Sequence, residues 1–166
     1  MTWGIPTHLF LQIHVALSLI TMVVGLIALY GFLEGRTLGG WIALFLAGAI
    51  LTSVTGFPMP PFGFDPPRAV GVVSLLALAV AVLAIYVFQL AGSWRWIFVA
   101  AAITALYLDV FVGIVQAFAK IPFLHEWAPT QSDPPFVIVQ LIGLVIFVAL
   151  GIAAVRRFHP THAANA

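Results

Sequence analysis

Long apolar stretches alternate with short segments rich in proline, glycine and charge along the whole sequence. Each stretch is long enough to cross roughly 30 Å of hydrocarbon as a helix that rises about 1.5 Å per residue. The pattern predicts one all-α domain over residues 1–166, an integral membrane helical bundle. Its five transmembrane helices are expected at about 9–33, 41–57, 69–90, 94–118 and 136–155. The longest connection, AKIPFLHEWAPTQSDPP, is expected to be a loop.

Composition supports a membrane protein, because 63% of the residues are hydrophobic and 7% are charged, whereas soluble domains carry about 25% charged residues. Six basic residues against five acidic ones argue against a nucleic-acid partner, which a basic patch would attract. The absence of cysteine excludes disulfides, thiolate metal sites and covalent c-type haem attachment. The lipid bilayer is therefore the first expected partner of this chain.

Charge predicts the orientation, because cationic loop residues are retained on the cytoplasmic side during insertion. Four arginines fall at one end of the predicted bundle, and one arginine and one lysine at the other. These are Arg36, Arg95, Arg156 and Arg157 against Arg68 and Lys120. The expected arrangement has the N-terminus outside and the C-terminus inside.

Polar residues within the spans gather toward the end that is predicted to face outward. His14 lies about 9 Å from the start of the first span, and Asp109 about 14 Å from the outer end of the fourth. Four more side chains are expected near them, namely Thr52, Ser74, Gln116 and Gln140. The opposite half of each span is almost entirely apolar. The sequence therefore predicts a polar ligand pocket or proton site in the outer leaflet.

Helical phase groups these residues further, since positions i, i+4 and i+7 share one face of a helix. Asp109 then shares a face with Gly113, Gln116 and Lys120. On the first helix, the corresponding stripe is His14, Ser18, Thr21, Gly25 and Ala28. Small residues at this spacing allow another helix to approach closely. The two stripes are expected to face each other.

An ionised carboxylate that faces lipid costs about 3 kcal/mol, so Asp109 is expected to face the bundle interior. Its candidate partners are His14, Thr52, a bound water, and Tyr107 if the helix rotates. A contact between histidine and a carboxyl group can bind a proton, orient a metal ligand or hydrogen-bond a quinone. The alternative is purely structural, with Asp109 as a neutral group joining two helices and His14 as an interhelical donor.

The loop before the last span offers the other candidate chemistry. Oxygen and nitrogen ligands from His125, Glu126 and Asp133 suit a metal ion, or the loop could cover the outward pocket as a lid. The alternative is an ordinary surface loop that Trp127 anchors at the membrane interface.

Five segments carry a family resemblance, namely IHVALSLI, LYGFLEGR, TSVTGF, LDVFVGIVQAF and HEWAPTQSDPPF. Through them the chain resembles, over most of its length, a group of small bacterial multispan inner-membrane proteins with no assigned activity. The resemblance implies the bacterial cytoplasmic membrane and assigns no role to any residue.

Three functions are compatible with these observations. The first is a non-catalytic accessory or structural subunit of a larger membrane complex or a homo-oligomer. The second is a redox-linked protein that binds a quinone or b-type haem near His14, although two-histidine haem ligation would need His8 or His125 to fold inward. The third is a small proton-coupled transporter in which Asp109 titrates, although the apolar cytoplasmic half offers no visible path.

Overall fold

The computed structural model describes residues 1–59 and 66–159, and within these ranges it contains helices and no β-strand. Five of the helices are long and apolar enough to cross a membrane. In chain order the helices are α1 (Thr7–Leu33), α2 (Gly39–Gly56), α3 (Pro66–Val82, continued by a π-helical segment at Leu83–Val87), α4 (Trp94–Lys120), α5 (Pro122–Trp127) and α6 (Pro134–Arg157). The all-α bundle with five membrane-length helices is confirmed.

The end of the third span differs from the prediction, which extended it to residue 90. The helix widens into the π-helical segment at Leu83–Val87, and the next residues turn sharply, with positive φ angles of 48° at Gln89 and 58° at Leu90. Phe88 stacks on Trp94 across this turn, with ring centroids 3.9 Å apart. The aromatic stack therefore closes the connection to α4 earlier than hydropathy alone indicates.

The predicted loop before the last span contains the short helix α5. Ile121 is extended, with φ −89° and ψ 115°, as is usual for the residue before a proline. Pro122 then starts the helix, because its fixed φ suits the first helical position. Phe118 and Phe136 meet edge to face at 5.5 Å beside the buried Ala128, which holds the segment between α4 and α6. The loop prediction was wrong for residues 122–127.

Neighbouring helices contact one another in the order α1, α2, α3, α4 and α6, and α4 also contacts α1 and α2. One end of the bundle, called the closed end here, is filled by Phe32 of α1, Phe98 of α4 and Phe158 after α6. The Phe32 ring lies 5.6 Å from that of Phe98 and 5.1 Å from that of Phe158. Arg95 donates hydrogen bonds to the carbonyls of Phe158 and, at 3.3 Å, Val155. The closed end is therefore packed and hydrogen-bonded.

Glycines set the distance between helices in the middle of the bundle. A Cβ atom on Gly25 would lie 2.5 Å from Cδ1 of Leu106 and 2.8 Å from the Phe45 ring, and one on Gly48 would lie 2.5 Å from Oγ1 of Thr21. Such distances are far below ordinary van der Waals contact, so α2 and α4 approach α1 this closely only because these positions lack a side chain.

Candidate functional site

A cavity of about 640 Å³ lies at the end of the bundle opposite the closed end, called the cavity end here. The first turns of α1 and α3 and the last turns of α2 and α4 surround it. Its polar lining residues are His14, Ser18, Thr52, Ser53, Arg68, Ser74, Asp109, Gln116 and Lys120. The rest of the wall is mostly apolar. Cavities that hold small molecules occupy roughly 300–1,000 Å³ and combine apolar walls with a few polar groups, so both size and lining are those of a binding site.

The structure brings most of the sequence-predicted site residues together. His14, Thr52, Ser74, Asp109 and Gln116 come from four different helices, and all of them line this one cavity. The reasoning from depth and helical phase thus identifies residues that share a site in the folded chain.

Gln140 is the exception, since it does not line the cavity. Its Nε2 donates to the carbonyl of Phe111 at 3.1 Å, on the side of α4 that packs against α6. Ile103, Tyr107 and Ile114 lie on that same side. Depth along a helix fixes the height of a residue in the bilayer but not the direction in which its side chain points. The sequence therefore grouped Gln140 with the cavity residues, although it contacts the opposite side of α4.

Three buried polar atoms around the cavity have no hydrogen-bond partner in the described part of the chain. They are Oγ1 of Thr52, Oγ of Ser74 and Oδ2 of Asp109. The Thr52 and Ser74 residues are only 9% and 2% exposed. An unsatisfied buried polar group costs about 1–3 kcal/mol, and most such groups in folded proteins find partners. These atoms are closed off from the cavity, so a molecule inside it would reach them only after their side chains turn toward it.

The His14 side chain is held in a defined orientation. Its Nδ1 lies 2.8 Å from Oγ1 of Thr55, and that hydroxyl is also within donating distance of the Leu51 and Thr52 carbonyls, at 2.7 and 3.2 Å. When the hydroxyl donates to a carbonyl, Oγ1 accepts from Nδ1–H and Nε2 is a hydrogen-bond acceptor; when it donates to Nδ1, Nε2 carries the proton. Within residues 1–59 and 66–159, no hydrogen bond joins His14 to Asp109. The two groups face the same cavity from separate helices.

Two cationic side chains border the cavity at the ends of its helices. Arg68, at the start of α3, donates to the carbonyls of Phe57, at 3.3 Å, and Met59, which ties the end of α2 to α3. Lys120 is the last residue of α4 and is exposed. From the sequence, Arg68 was used only in the count of basic residues that predicts the orientation. The proline pair before it marks the start of its helix, and this signal could have placed Arg68 at the same end of the bundle as Lys120.

The α1 side of the cavity is apolar and partly exposed. Leu11, Val15 and Leu19 line it and are 39%, 40% and 56% exposed. The described α6 contributes no lining residue. Three apolar side chains of α1 therefore contribute both to the cavity wall and to the accessible surface of the described chain.

The cavity ends near the middle of the bundle. Asp109 lies eleven residues before the end of α4, which corresponds to about 16 Å along the helix axis, or half of a typical hydrocarbon core. Beyond it, the close contacts around Gly25, Phe45 and Leu106 fill the interior. The arrangement is that of a binding pocket with a packed floor.

The candidate metal ligands do not gather in the structure. His125 and Glu126 are exposed, while Oδ2 of Asp133 accepts hydrogen bonds from the backbone N–H and the hydroxyl of Thr130, at 2.6 and 2.9 Å. Over residues 1–59 and 66–159, no group of three or more potential ligands could hold a metal ion. The Asp133 carboxylate instead shapes the turn that precedes α6.

The described residues do not bring two histidines together for the ligation of a haem. His8 and His125 are both exposed, and His14 is the one histidine of the described chain that lines the cavity. His162 lies outside the described residues. The cavity therefore presents one imidazole where such a haem needs two.

No family model, curated protein or solved structure matches this chain. The cavity and its chemistry are thus the basis for any statement about function.

Proposed function

We propose that this chain is an integral membrane protein that binds a small, lipid-soluble, amphipathic molecule in the cavity. It serves as a binding or accessory unit rather than as an enzyme. The observation that carries this proposal is a cavity of about 640 Å³ that is bounded by four helices and combines polar residues such as His14, Ser74 and Asp109 with apolar walls. The polar atoms would hold the head of the molecule, and the apolar walls would hold its tail.

Partners other than lipid follow from the surface of α6, which favours a place beside a larger membrane complex or within a homo-oligomer. Large apolar side chains such as Ile138, Leu141 and Val145 are exposed along α6. This face suits lipid or the apolar surface of another membrane subunit.

We place the cavity in the outer leaflet of a bacterial cytoplasmic membrane, with the N-terminus outside and the C-terminus inside. The charge distribution supports this orientation, because four arginines flank the closed end while Arg68 and Lys120 flank the cavity, and cationic residues favour the cytoplasmic side. The resemblance to small bacterial inner-membrane proteins supports the location.

Quinone binding in a redox-linked complex is the second candidate function. It is favoured by the presence of His14 and Asp109 in one cavity with an apolar α1 side. The carbonyl oxygens of a quinone need hydrogen-bonding groups, and its isoprenoid tail needs an apolar path. Haem is less well supported, for want of a second imidazole.

Proton-coupled transport is weakened by the packed floor. A transported proton or solute would have to pass Gly25, Phe45 and Leu106, which pack so closely that a Cβ on Gly25 would overlap with both neighbouring side chains and which present no polar side chain. Asp109 can accept a proton from the cavity, but the apolar contacts beneath it provide no relay toward the closed end.

Binding of decyl-tailed molecules with neutral aromatic heads to the protein in lipid nanodiscs tests the proposal. We expect at least one of them to saturate at one molecule per chain. Ser74→Phe fills the cavity and should weaken binding at least ten-fold. Val145→Phe is the matched control, because Val145 is 66% exposed on α6, and it should leave binding unchanged.

Gly71→Leu is a second blocking variant that guards against misfolding of Ser74→Phe. Gly71 lines the cavity, and a Cβ there would meet the Phe57 ring at an ordinary 3.5 Å. Failure of every probe to saturate, or equal binding to folded blocked variants and wild type, would show that the cavity is not a ligand site.

A further inference from the structure

The cavity wall offers an uneven set of hydrogen-bonding groups. On the α1 side, Ser18 gives its hydroxyl proton to the His14 carbonyl at 2.8 Å, and we assign to His14 the tautomer whose Nδ1 proton goes to Thr55 while the Thr55 hydroxyl donates to the Leu51 carbonyl. What remains on this side is therefore two acceptors, Oγ of Ser18 and Nε2 of His14. Asp109 adds carboxyl oxygens, which keep acceptor lone pairs in either protonation state. These three residues need a ligand that can donate.

The opposite wall has a different character. The hydroxyls of Thr52 on α2 and Ser74 on α3 are buried beside the cavity and have no partner among the described residues, so a ligand would engage them once the side chains turn toward it. Each can both donate one proton and accept through its lone pairs. A ligand that satisfies both walls must therefore donate toward α1 or α4 and accept from α2 or α3.

We infer that the head of the bound molecule carries a hydroxyl group, as in a phenol, hydroquinone or alcohol, and that the cavity prefers such a head to a carbonyl or ether of similar shape. This inference rests on the proposed ligand-binding function. A hydroxyl can donate to Nε2 of His14 or to Asp109 while it accepts from Ser74 or Thr52. A carbonyl or ether oxygen can only accept, so it leaves the acceptors of the α1 side without a partner.

Discrimination of this kind is large where binding sites hydrogen-bond a hydroxyl, because an analogue that lacks it leaves buried polar groups unpaired. A protonated amine is a poorer match than a hydroxyl. It donates but cannot accept from Ser74 and Thr52, and the positive charge of Lys120 at the border of the cavity repels it. The neutral hydroxyl is thus the head that suits both the acceptors on α1 and the hydroxyls on α2 and α3.

His14 is the residue that we assign to head-group selection, and Thr55 is its positioning residue. Thr55 does not need to touch the ligand, because its role is to hold the proton of the imidazole on Nδ1 and so leave Nε2 as an acceptor. Loss of this hydroxyl should change which heads bind best, whereas a merely structural residue would affect all heads alike.

The test compares 4-decylphenol with 4-decylanisole, which differ only in that a methyl group replaces the hydroxyl proton. Dissociation constants are measured for the full chain in nanodiscs. We expect the phenol to bind at least ten-fold more tightly, which corresponds to about 1.4 kcal/mol. His14→Phe should bring the ratio of the two constants close to one, and Thr55→Val should lower it in the same direction. Gln140→Leu, outside the cavity, should leave the ratio unchanged.

The outcomes separate this inference from the function on which it rests. If phenol and anisole bind equally and Ser74→Phe abolishes both, the cavity is a ligand site and the hydroxyl preference is wrong. Tighter binding of decylammonium than of decylphenol overturns the preference in the same way. If no probe saturates, both the proposed function and the inference fail. Asp109→Asn provides a second variant for the ratio should His14→Phe not fold.

Discussion

The two ends of this bundle are built in opposite ways. At the closed end, the rings of Phe32, Phe98 and Phe158 interlock, and Arg95 hydrogen-bonds to the carbonyls at the end of α6. At the cavity end, α1, α2, α3 and α4 leave about 640 Å³ between them. Buried hydroxyls there, such as that of Ser74, have no partner in the described part of the chain.

On the proposed function, stability resides in the packed regions and binding at the cavity end. Within a bilayer, helices associate through close packing and interhelical hydrogen bonds, since lipid tails are as apolar as the side chains they would replace. The closed end and the glycine contacts at Gly25 and Gly48 supply that packing. The cavity end gives up these contacts and leaves polar groups unsatisfied, as functional sites commonly do. Substitutions should therefore affect folding at one end and binding at the other.

The largest effect on folding is expected for Gly25→Ala. The new methyl group would overlap with Leu106 and Phe45, and overpacking of this kind costs about 2 kcal/mol. The measurement is the free energy of unfolding in mixed micelles, followed by circular dichroism. Gly113→Ala is the control at the cavity end, where the nearest atoms, on Met22, lie at 3.4 and 3.5 Å. Equal losses for both variants would contradict the contrast between the two regions.

A somewhat smaller loss is expected for Arg95→Ala. The guanidinium group donates to carbonyls of Val155 and Phe158, and hydrogen bonds from a charged group contribute about 1.5 kcal/mol or more. Thermal unfolding of the purified protein should show a lower midpoint. Arg156→Ala, at an exposed position of the same end, should unfold at nearly the wild-type temperature. If both variants behave alike, Arg95 does not fasten the closed end.

Ala81→Ser places a hydroxyl in the packed half of α3, seven residues beyond Ser74 on the same face. Ala81 is fully buried, so the added polar group should destabilise the protein by about 1 kcal/mol. The chemical unfolding midpoint would report this loss. An unchanged midpoint would indicate that the packed half tolerates polar groups as readily as the cavity end does.

Ser74→Ala should not destabilise the protein and should raise its stability by up to about 1 kcal/mol, because it removes a buried hydroxyl that has no partner. Its effect should appear in binding instead, as a several-fold weaker affinity for 4-decylphenol. A clear loss of stability with unchanged affinity would mean that Ser74 serves packing rather than the ligand.

Much of the architecture follows from the sequence, since membrane-length apolar helices are fixed by hydropathy and proline. The stripe from His14 to Gly25 also anticipates both a wall of the cavity and the close approach of α2 and α4. These successes share one cause, because residues on one face of a helix keep that relation whatever the helix packs against.

The failures share another cause. The direction of Gln140, the hydrogen bond from His14 to Thr55 and the position of Arg68 depend on how one helix is rotated against another, which periodicity along a single helix does not determine. Proline geometry similarly starts α5 where hydropathy indicates only a loop. The aromatic stack of Phe88 on Trp94 closes the turn after α3 where hydropathy indicates a continuing span.

Photocrosslinking with 4-decylphenol that carries a diazirine in its tail tests the central claim most directly. The protein is labelled in nanodiscs, with and without an excess of unlabelled phenol, and the labelled residues are mapped by mass spectrometry. Competable labels are predicted on Leu11, Val15 and Leu19 of α1 and on Val70 of α3, all of which line the cavity. Labels that are not reduced by competition, or that fall mainly on the exposed face of α6 around Val145, would contradict a ligand site at the cavity end.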